Sequence, residues 1–350
     1  MTKRIEYIDA LRGFTMMLVV SVHIYSMCFM QGNVHEYDLS YNNFFGLFRM
    51  PLFFFISGFV FYKSNRIWDI TSLKEFITSK VRVQILSTLV FFFIFCLLFR
   101  REIKVSLFDS QKLGYWFTYI LFIYFVLYII IDKTISVLCR QKAFSNYTFI
   151  ASFIVGLLLY FFINNGLLLN ILSPQATLLL SISKWQYFAF FSFGCFTHKY
   201  YDIFLKSGNN TYIKGCILIL FVFFSFLFFY QNITHIIISN YILRFFSATF
   251  GILLILFVFK KHESSLSSST KLGITLQYIG KHTLDIYFLH YFFLPYNLSF
   301  IGKLFLETPN PLLEFCLSII LALIVIVFCL AVSKIIRISS TLTFLLLGGK

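Results

Sequence analysis

Ten stretches of mostly apolar residues recur along this chain, near 10–30, 43–62, 83–99, 115–131, 147–164, 176–197, 212–230, 236–259, 274–296 and 312–333. Each is about the 17–25 residues that an α-helix needs to cross the hydrocarbon of a bilayer. Within lipid, backbone N–H and C=O groups must be paired inside the segment, so runs of this kind are helices and not open sheets. Only 12% of the residues are charged and 59% are hydrophobic, about half the charge of an ordinary soluble domain. The fold class expected is therefore an all-α membrane protein, a polytopic bundle of about ten transmembrane helices forming one integral-membrane domain over 1–350. The sixth and ninth stretches are the weaker ones: they carry Lys184 or Lys281 near one end and are interrupted by Gly194 or Pro295.

The net charge of +15 does not predict a nucleic-acid partner, because the basic residues sit between apolar runs and not on one patch. In a membrane protein, basic residues between spans encode orientation and meet anionic lipid. With the amino terminus in the cytoplasm, nineteen lysines and arginines fall in cytoplasmic segments and five in outer loops. That bias predicts cytoplasmic N- and C-termini. The loop at 100–114 dissents, with Arg100, Arg101, Lys104 and Lys112 on the outer side, so a missed or extra span is expected there if anywhere. The first apolar run has no small-residue cleavage site after it, and it reads as a retained span. The seven cysteines never form a C-x-x-C pair and read as small core residues; neither a metal site nor a disulfide framework is expected.

Two polar side chains in the first span carry most of the chemistry. Arg12 and His23 are eleven residues apart, close to three helical turns, so they share one face and stand roughly 16 Å apart along the axis. Ionisable groups at such positions are costly and usually face a cavity where they act. His23, near the bilayer midplane, is suited to take and return a proton near neutral pH, although a histidine bridging helices by a hydrogen bond is the plainer alternative. Arg12, near the cytoplasmic face, can hold a phosphate bidentately, or can snorkel and pair with Asp9, three residues earlier. Both can hold together, with Asp9 orienting Arg12.

Further candidates lie elsewhere. Arg49 is inside the second span towards the outer face, ahead of Pro51, and Ser57-Gly58 reads as a small pair that permits close helix packing. Arg82 opens the third helix on the side of Arg12 and could join a phosphate-binding cluster. In the ninth span, Thr283, Tyr287 and His290 are spaced by four and three residues and form one polar stripe that suits a hydroxyl-bearing substrate. Lys281 and Asp285 can neutralise each other across one turn. Tyr115, Trp116 and Tyr119 read as an interfacial belt, with stacking on a sugar as the alternative. The other histidines show no pattern.

Four stretches together resemble the acyltransferase 3 family of membrane-integral bacterial O-acyltransferases. They are Tyr7-Ile8-Asp9-Ala10-Leu11-Arg12-Gly13 with the arginine–ten residues–histidine spacing ending at His23; Met50-Pro51-Leu52-Phe53-Phe54-Phe55-Ile56-Ser57-Gly58-Phe59; Tyr115-Trp116-Phe117; and the run from Gly280 to His290. The resemblance implies a multi-pass protein of the bacterial cytoplasmic membrane that moves an acyl group, usually acetyl from acetyl-CoA, onto a hydroxyl of an extracytoplasmic glycan or exopolysaccharide. It implies essential roles for Arg12 and His23, with Asp9, Arg49, Arg82, Thr283, Tyr287 and His290 as candidate substrate-binding residues. No permanently bound cofactor and no metal is expected: acyl-CoA is the donor, and a glycan or lipid-linked sugar the acceptor. The chain departs from the family in having Thr283 where a serine is usual, and in lacking the proline common at the start of the third helix, which weakens the carry-over to Arg82.

The mechanism expected has acyl-CoA phosphates at Arg12 and the thioester near His23. His23 then either deprotonates the acceptor or briefly carries the acyl group as an acyl-imidazole. A transporter or flippase for a lipid-linked sugar is the rival reading, but it would lead one to expect internal repeats with matching broken helices, and no second arginine–histidine motif occurs.

Overall fold

The computed structural model describes residues 5–31, 40–63, 68–138, 144–234 and 239–349. Among the described residues it is helical with no strand. Eight helices there are long and apolar enough to cross a membrane: Glu6–Phe29, Tyr41–Phe61, Ile70–Leu98, Trp116–Leu138, Tyr147–Asn164, Thr211–Tyr230, Asn240–Lys261 and Pro311–Ile336. Their outer faces suit lipid. On Thr211–Thr234, the exposed residues Leu218, Ile219, Val222, Phe223 and Phe226 form a stripe at helical spacing, and Ile217, Phe221, Ser225 and Phe228 face inward. The chain is thus a multi-pass, all-α membrane protein.

The two other expected spans are broken. The 176–197 stretch splits into a short helix Pro174–Leu179, a 3-10 segment Ile182–Tyr187 and a helix Phe188–Lys199, with Ser181 in a left-handed conformation at φ 48°. The 274–296 stretch splits at His282 into Lys271–Lys281 and Thr283–Leu289, tightens into a 3-10 turn at His290–Phe292, and then leaves the helix. Each window is apolar enough on average, but hydropathy does not see backbone breaks, and neither window forms one helix long enough to span. The loop at 100–114 holds only a short helix Ile103–Leu107 and a 3-10 turn. Its dissenting Lys112 is buried and donates to the carbonyls of Leu107 (2.9 Å), Asp109 (3.4 Å) and Leu178 (3.2 Å). Burial holds its ammonium below the usual lysine value. Lys112 is thus a structural tie that joins this loop to the Pro174–Leu179 helix.

The chain divides into two compact units. The first comprises Met1–Phe53 and Asp202–Lys334, the second Phe54–Tyr201 and Ile335–Lys350. In the second unit, the Ser57-Gly58 pair does what the sequence suggested. A Cβ on Gly58 would stand 2.0 Å from the Phe191 carbonyl oxygen, and one on Gly194 2.0 Å from that of Phe55. Backbone meets backbone there, which only glycine allows. Tyr115 is fully buried, and Trp116 packs on Phe54 and Tyr187 under the Lys184 ammonium. Tyr115 is thus a core residue, whereas Trp116 is half-buried among its aromatic neighbours. Of the cysteines, Cys28, Cys96, Cys195 and Cys329 are buried as expected, Cys216 and Cys316 are exposed, and Cys139 lies outside the described residues.

The first unit is organised around the first helix, Glu6–His23, which passes directly into a π-helical turn at Ile24–Phe29. π-Helical turns are rare and often mark functional positions; this one begins immediately after His23. The helix packs against Lys271–Lys281 through a reciprocal glycine contact. A Cβ on Gly13 would lie 2.0 Å from the Leu276 carbonyl oxygen, and one on Gly280 1.9 Å from that of Asp9. Small residues let membrane helices approach this closely. The contact fixes Asp9 and Arg12 against the break at His282.

Candidate active site

The site is built from the first helix and the broken segment that packs on it, both in the first unit. At one end, Arg12 Nη2 donates to Thr283 Oγ1 at 3.1 Å, and Arg12 Nη1 lies 3.8 Å from Asp9 Oδ1. Asp9 is buried, whereas the Arg12 side chain keeps 27% of its surface exposed. The guanidinium is thus held by Thr283 and Asp9 while part of its surface stays exposed. Thr283 is the first residue after the break, where its hydroxyl also faces the Gly280 carbonyl at 3.4 Å. The hydroxyl that the family's usual serine would supply is present.

At the other end, His23 Nε2 and Tyr291 Oη are hydrogen-bonded at 3.1 Å, with ring centroids 5.0 Å apart. His290 stacks obliquely on both, at 5.2 Å from His23 and 4.0 Å from Tyr291. His290 is fully buried, and its Nδ1 bonds the Ile286 carbonyl at 3.0 Å. A carbonyl can only accept, so Nδ1 carries the proton and Nε2 is left as an acceptor. That Nε2 is buried with no hydrogen-bond partner among the described residues. A buried acceptor of this kind costs roughly 1–3 kcal/mol unless something bonds it, and a ligand N–H or O–H would.

Tyr287 is buried beside His290, with centroids 6.2 Å apart. Arg49 Nη1 donates to Asn42 Oδ1 at 3.3 Å, and its charge reaches both His23 and Tyr41. Asp9, Arg12, His23, Arg49, Thr283, Tyr287 and His290 all belong to the first unit, and Thr283 and His290 meet the helix face that carries Arg12 and His23. Arg82 belongs to the second unit, in a π-helical turn Val81–Leu86, where its guanidinium lies 5.2 Å from the Phe344 ring.

A single segment, Thr283 to Tyr291, meets both ends of the arginine–histidine pair. A family profile for an acyltransferase domain matches residues 5–331, nearly the whole chain. The chain belongs to the acyltransferase 3 family. No curated protein and no solved structure matches it.

Some residues of this acyltransferase escaped the sequence reading. Tyr291 continues the four-residue spacing of Thr283 and Tyr287, so the signal was present. The stripe read from the sequence stops at His290, and the 3-10 turn at His290–Phe292 brings both His290 and Tyr291 against the His23 ring. The expected neutralisation of Lys281 by Asp285 is replaced: Asp285 Oδ2 accepts from Ser333 Oγ at 2.6 Å and lies 3.1 Å from His282 Nδ1. The break at His282 interrupts the helical register that the pairing assumed, and it gives a use to a histidine that showed no pattern. His198 likewise stacks on Phe59, while His35 and His235 lie outside the described residues. Among the described residues no group of three metal-ligating side chains occurs.

Proposed function

We propose that this protein transfers an acyl group, acetyl by default, from acyl-CoA to a hydroxyl of an extracytoplasmic glycan or lipid-linked sugar, in the bacterial cytoplasmic membrane. The observation that carries the reading is that Arg12 and His23, some three turns apart on one helix, are each engaged at 3.1 Å by the same broken segment. One end is an oriented, partly exposed guanidinium, suited to a phosphate. The other is an imidazole held by a phenol beside an unpartnered buried nitrogen, suited to proton transfer on a neutral hydroxyl. An elongated donor with an anionic head and a reactive tail fits that separation.

In the step we infer, a hydroxyl of the acceptor gives its proton to His23 Nε2 as its oxygen attacks the thioester carbonyl. The tetrahedral intermediate collapses, the carbon–sulfur bond breaks, and the imidazolium returns the proton to the CoA sulfur. Tyr291 is a positioning residue: with the imidazole proton on Nδ1, its O–H donates to Nε2 and fixes the ring until the acceptor hydroxyl replaces it. His290 Nε2 accepts a hydrogen bond from donor or acceptor. Asp9 and Thr283 aim Arg12, and Arg49 lends positive charge beside His23 as the carbonyl oxygen becomes anionic.

The test compares base-labile acetate on cell-surface glycans from cells carrying wild type, His23→Ala or no copy, with membrane expression checked. Loss of acetate in both the variant and the null supports transfer. Glycan that keeps its acetate but falls in exported amount would instead make the protein a transporter.

A further inference from the structure

The basic loop at 100–114 takes no part in the acyl-transfer arrangement. It joins the Ile70–Leu98 and Trp116–Leu138 helices within the second unit, so it lies at a membrane surface. Arg100, Arg101 and Lys104 are exposed there and make no ion pair among the described residues. Even with Glu102 and Asp109 counted, the loop is net positive by two. Beside it lies a cavity of about 140 Å³, walled by Leu89, Phe92, Leu107, Tyr115, Tyr119 and Leu179.

The cavity is built and not a packing accident. Lys112, on its wall, donates to the carbonyl of Leu107 on one side and to that of Leu178, next to Leu179, on another. The chain reaches Tyr115 through three successive left-handed residues, Lys112, Leu113 and Gly114, at φ 45°, 55° and 96°. Residues bearing a Cβ adopt that conformation only at a cost. The polar groups of the lining are used up: Thr88 is hydrogen-bonded to Thr118 at 2.6 Å, and Lys112 gives its N–H donors to three carbonyls. The interior is therefore apolar, of a size that stays dry and takes small apolar guests. Tyr115 is fully buried, whereas Leu89 is 41% and Leu179 38% exposed, so the cavity runs from the protein interior to the lipid-facing surface. Its depth suits a lipid tail. Phe92 and Leu89 precede Leu98, the surface end of their helix, by six and nine residues. That is roughly 9 and 14 Å down, within one leaflet of a hydrocarbon core about 30 Å thick.

We propose that the second unit holds one anionic phospholipid, with an acyl chain in this cavity and its phosphate against Arg100, Arg101 and Lys104. Charge complementarity selects the occupant. Lys104 is one turn from the wall residue Leu107 on the Ile103–Leu107 helix, so a chain seated against Leu107 brings its headgroup to basic side chains. A zwitterionic lipid offers the same chain without the net charge. Each basic residue near a membrane surface favours an anionic lipid by roughly fivefold.

The test titrates full-length protein in mild detergent with phosphatidylglycerol, phosphatidylcholine of the same chains, or a polyprenyl phosphate, and counts bound lipid by native mass spectrometry. Wild type should prefer phosphatidylglycerol over phosphatidylcholine by roughly tenfold or more. The triple variant Arg100→Gln, Arg101→Gln, Lys104→Gln should bring the two close to parity. Leu89→Trp and Leu179→Trp fill the mouth of the cavity from its exposed rim. They should weaken both phospholipids by roughly tenfold, the worth of about ten lost carbon contacts, with the preference kept and the lipid-free melting midpoint near wild type.

Equal binding of the two phospholipids by wild type overturns the proposal, as does a preference that survives in the triple variant. Tryptophan variants that bind like wild type overturn the cavity as the tail site. Should they lower the midpoint, the triple variant, which changes exposed side chains only, decides alone. Tighter binding of the polyprenyl phosphate than of phosphatidylglycerol also overturns it, and would assign the cavity to a lipid-linked sugar.

Discussion

Alanine at Gly280 should silence this acyltransferase although the residue touches no substrate. A Cβ there would stand 1.9 Å from the Asp9 carbonyl oxygen. Carbon and carbonyl oxygen settle no closer than about 3.3 Å, so the Lys271–Lys281 helix must retreat from the first helix by roughly 1.4 Å. Neither wall is a flexible side chain, and backbone cannot give way locally. The overpacking should cost about 1–3 kcal/mol of stability. The same retreat stretches the 3.1 Å Arg12–Thr283 bond well past hydrogen-bonding length. A misplacement of about 1 Å can cost about a hundredfold in rate. Gly280→Ala should therefore lose at least about a hundredfold in glycan acetylation per folded molecule, with a lowered melting midpoint. Gly13→Ala, whose Cβ would meet the Leu276 carbonyl oxygen at 2.0 Å, should behave alike, and the double variant should cost much less than the sum because one separation relieves both clashes. Gly215→Ala is the control: nothing lies within 4 Å of its added Cβ, and in a helix it should be neutral or stabilising. Full acetylation by Gly280→Ala at an unchanged midpoint would refute the reasoning.

The remaining expectations concern single side chains. His23→Ala should abolish acetylation by roughly 10²–10⁴-fold, the contribution of a general base, with the melting midpoint near wild type. Tyr291→Phe should lower the acylation rate by up to about tenfold, the worth of one neutral hydrogen bond, and leave the acetyl-CoA thermal shift intact; an equal loss of donor binding would count against its positioning role. Thr283→Ser should retain activity within a few-fold, whereas Thr283→Val should weaken donor binding, read as a smaller acetyl-CoA shift. Lys112→Met leaves three carbonyls without their donor and should destabilise by about 1–3 kcal/mol, with acetylation per folded molecule unchanged.

Much of this protein was legible from its order of residues. Apolar length dictated membrane helices, because the bilayer leaves the backbone no other partner. Arg12 and His23 announced themselves because ionisable groups in an apolar run need a reason, and their eleven-residue spacing already put them on one face. A charge count could not see that three carbonyls hold the Lys112 ammonium in the dissenting loop. Hydropathy likewise ran through the breaks at Ser181 and His282, because it sums side chains and is blind to φ and ψ.

What the chain alone determined is thus the helical, membrane-embedded class, the family, and the arginine–histidine pair on which the candidate site is built. Only tertiary structure decided the partners: Thr283 for Arg12, Tyr291 for His23, Ser333 for Asp285, and for His290 Nε2 none among the described residues. Periodicity fixes which residues share a face of one helix. Which face meets which depends on where glycines let two backbones touch and where a helix breaks, and those contacts exist only once the helices are packed.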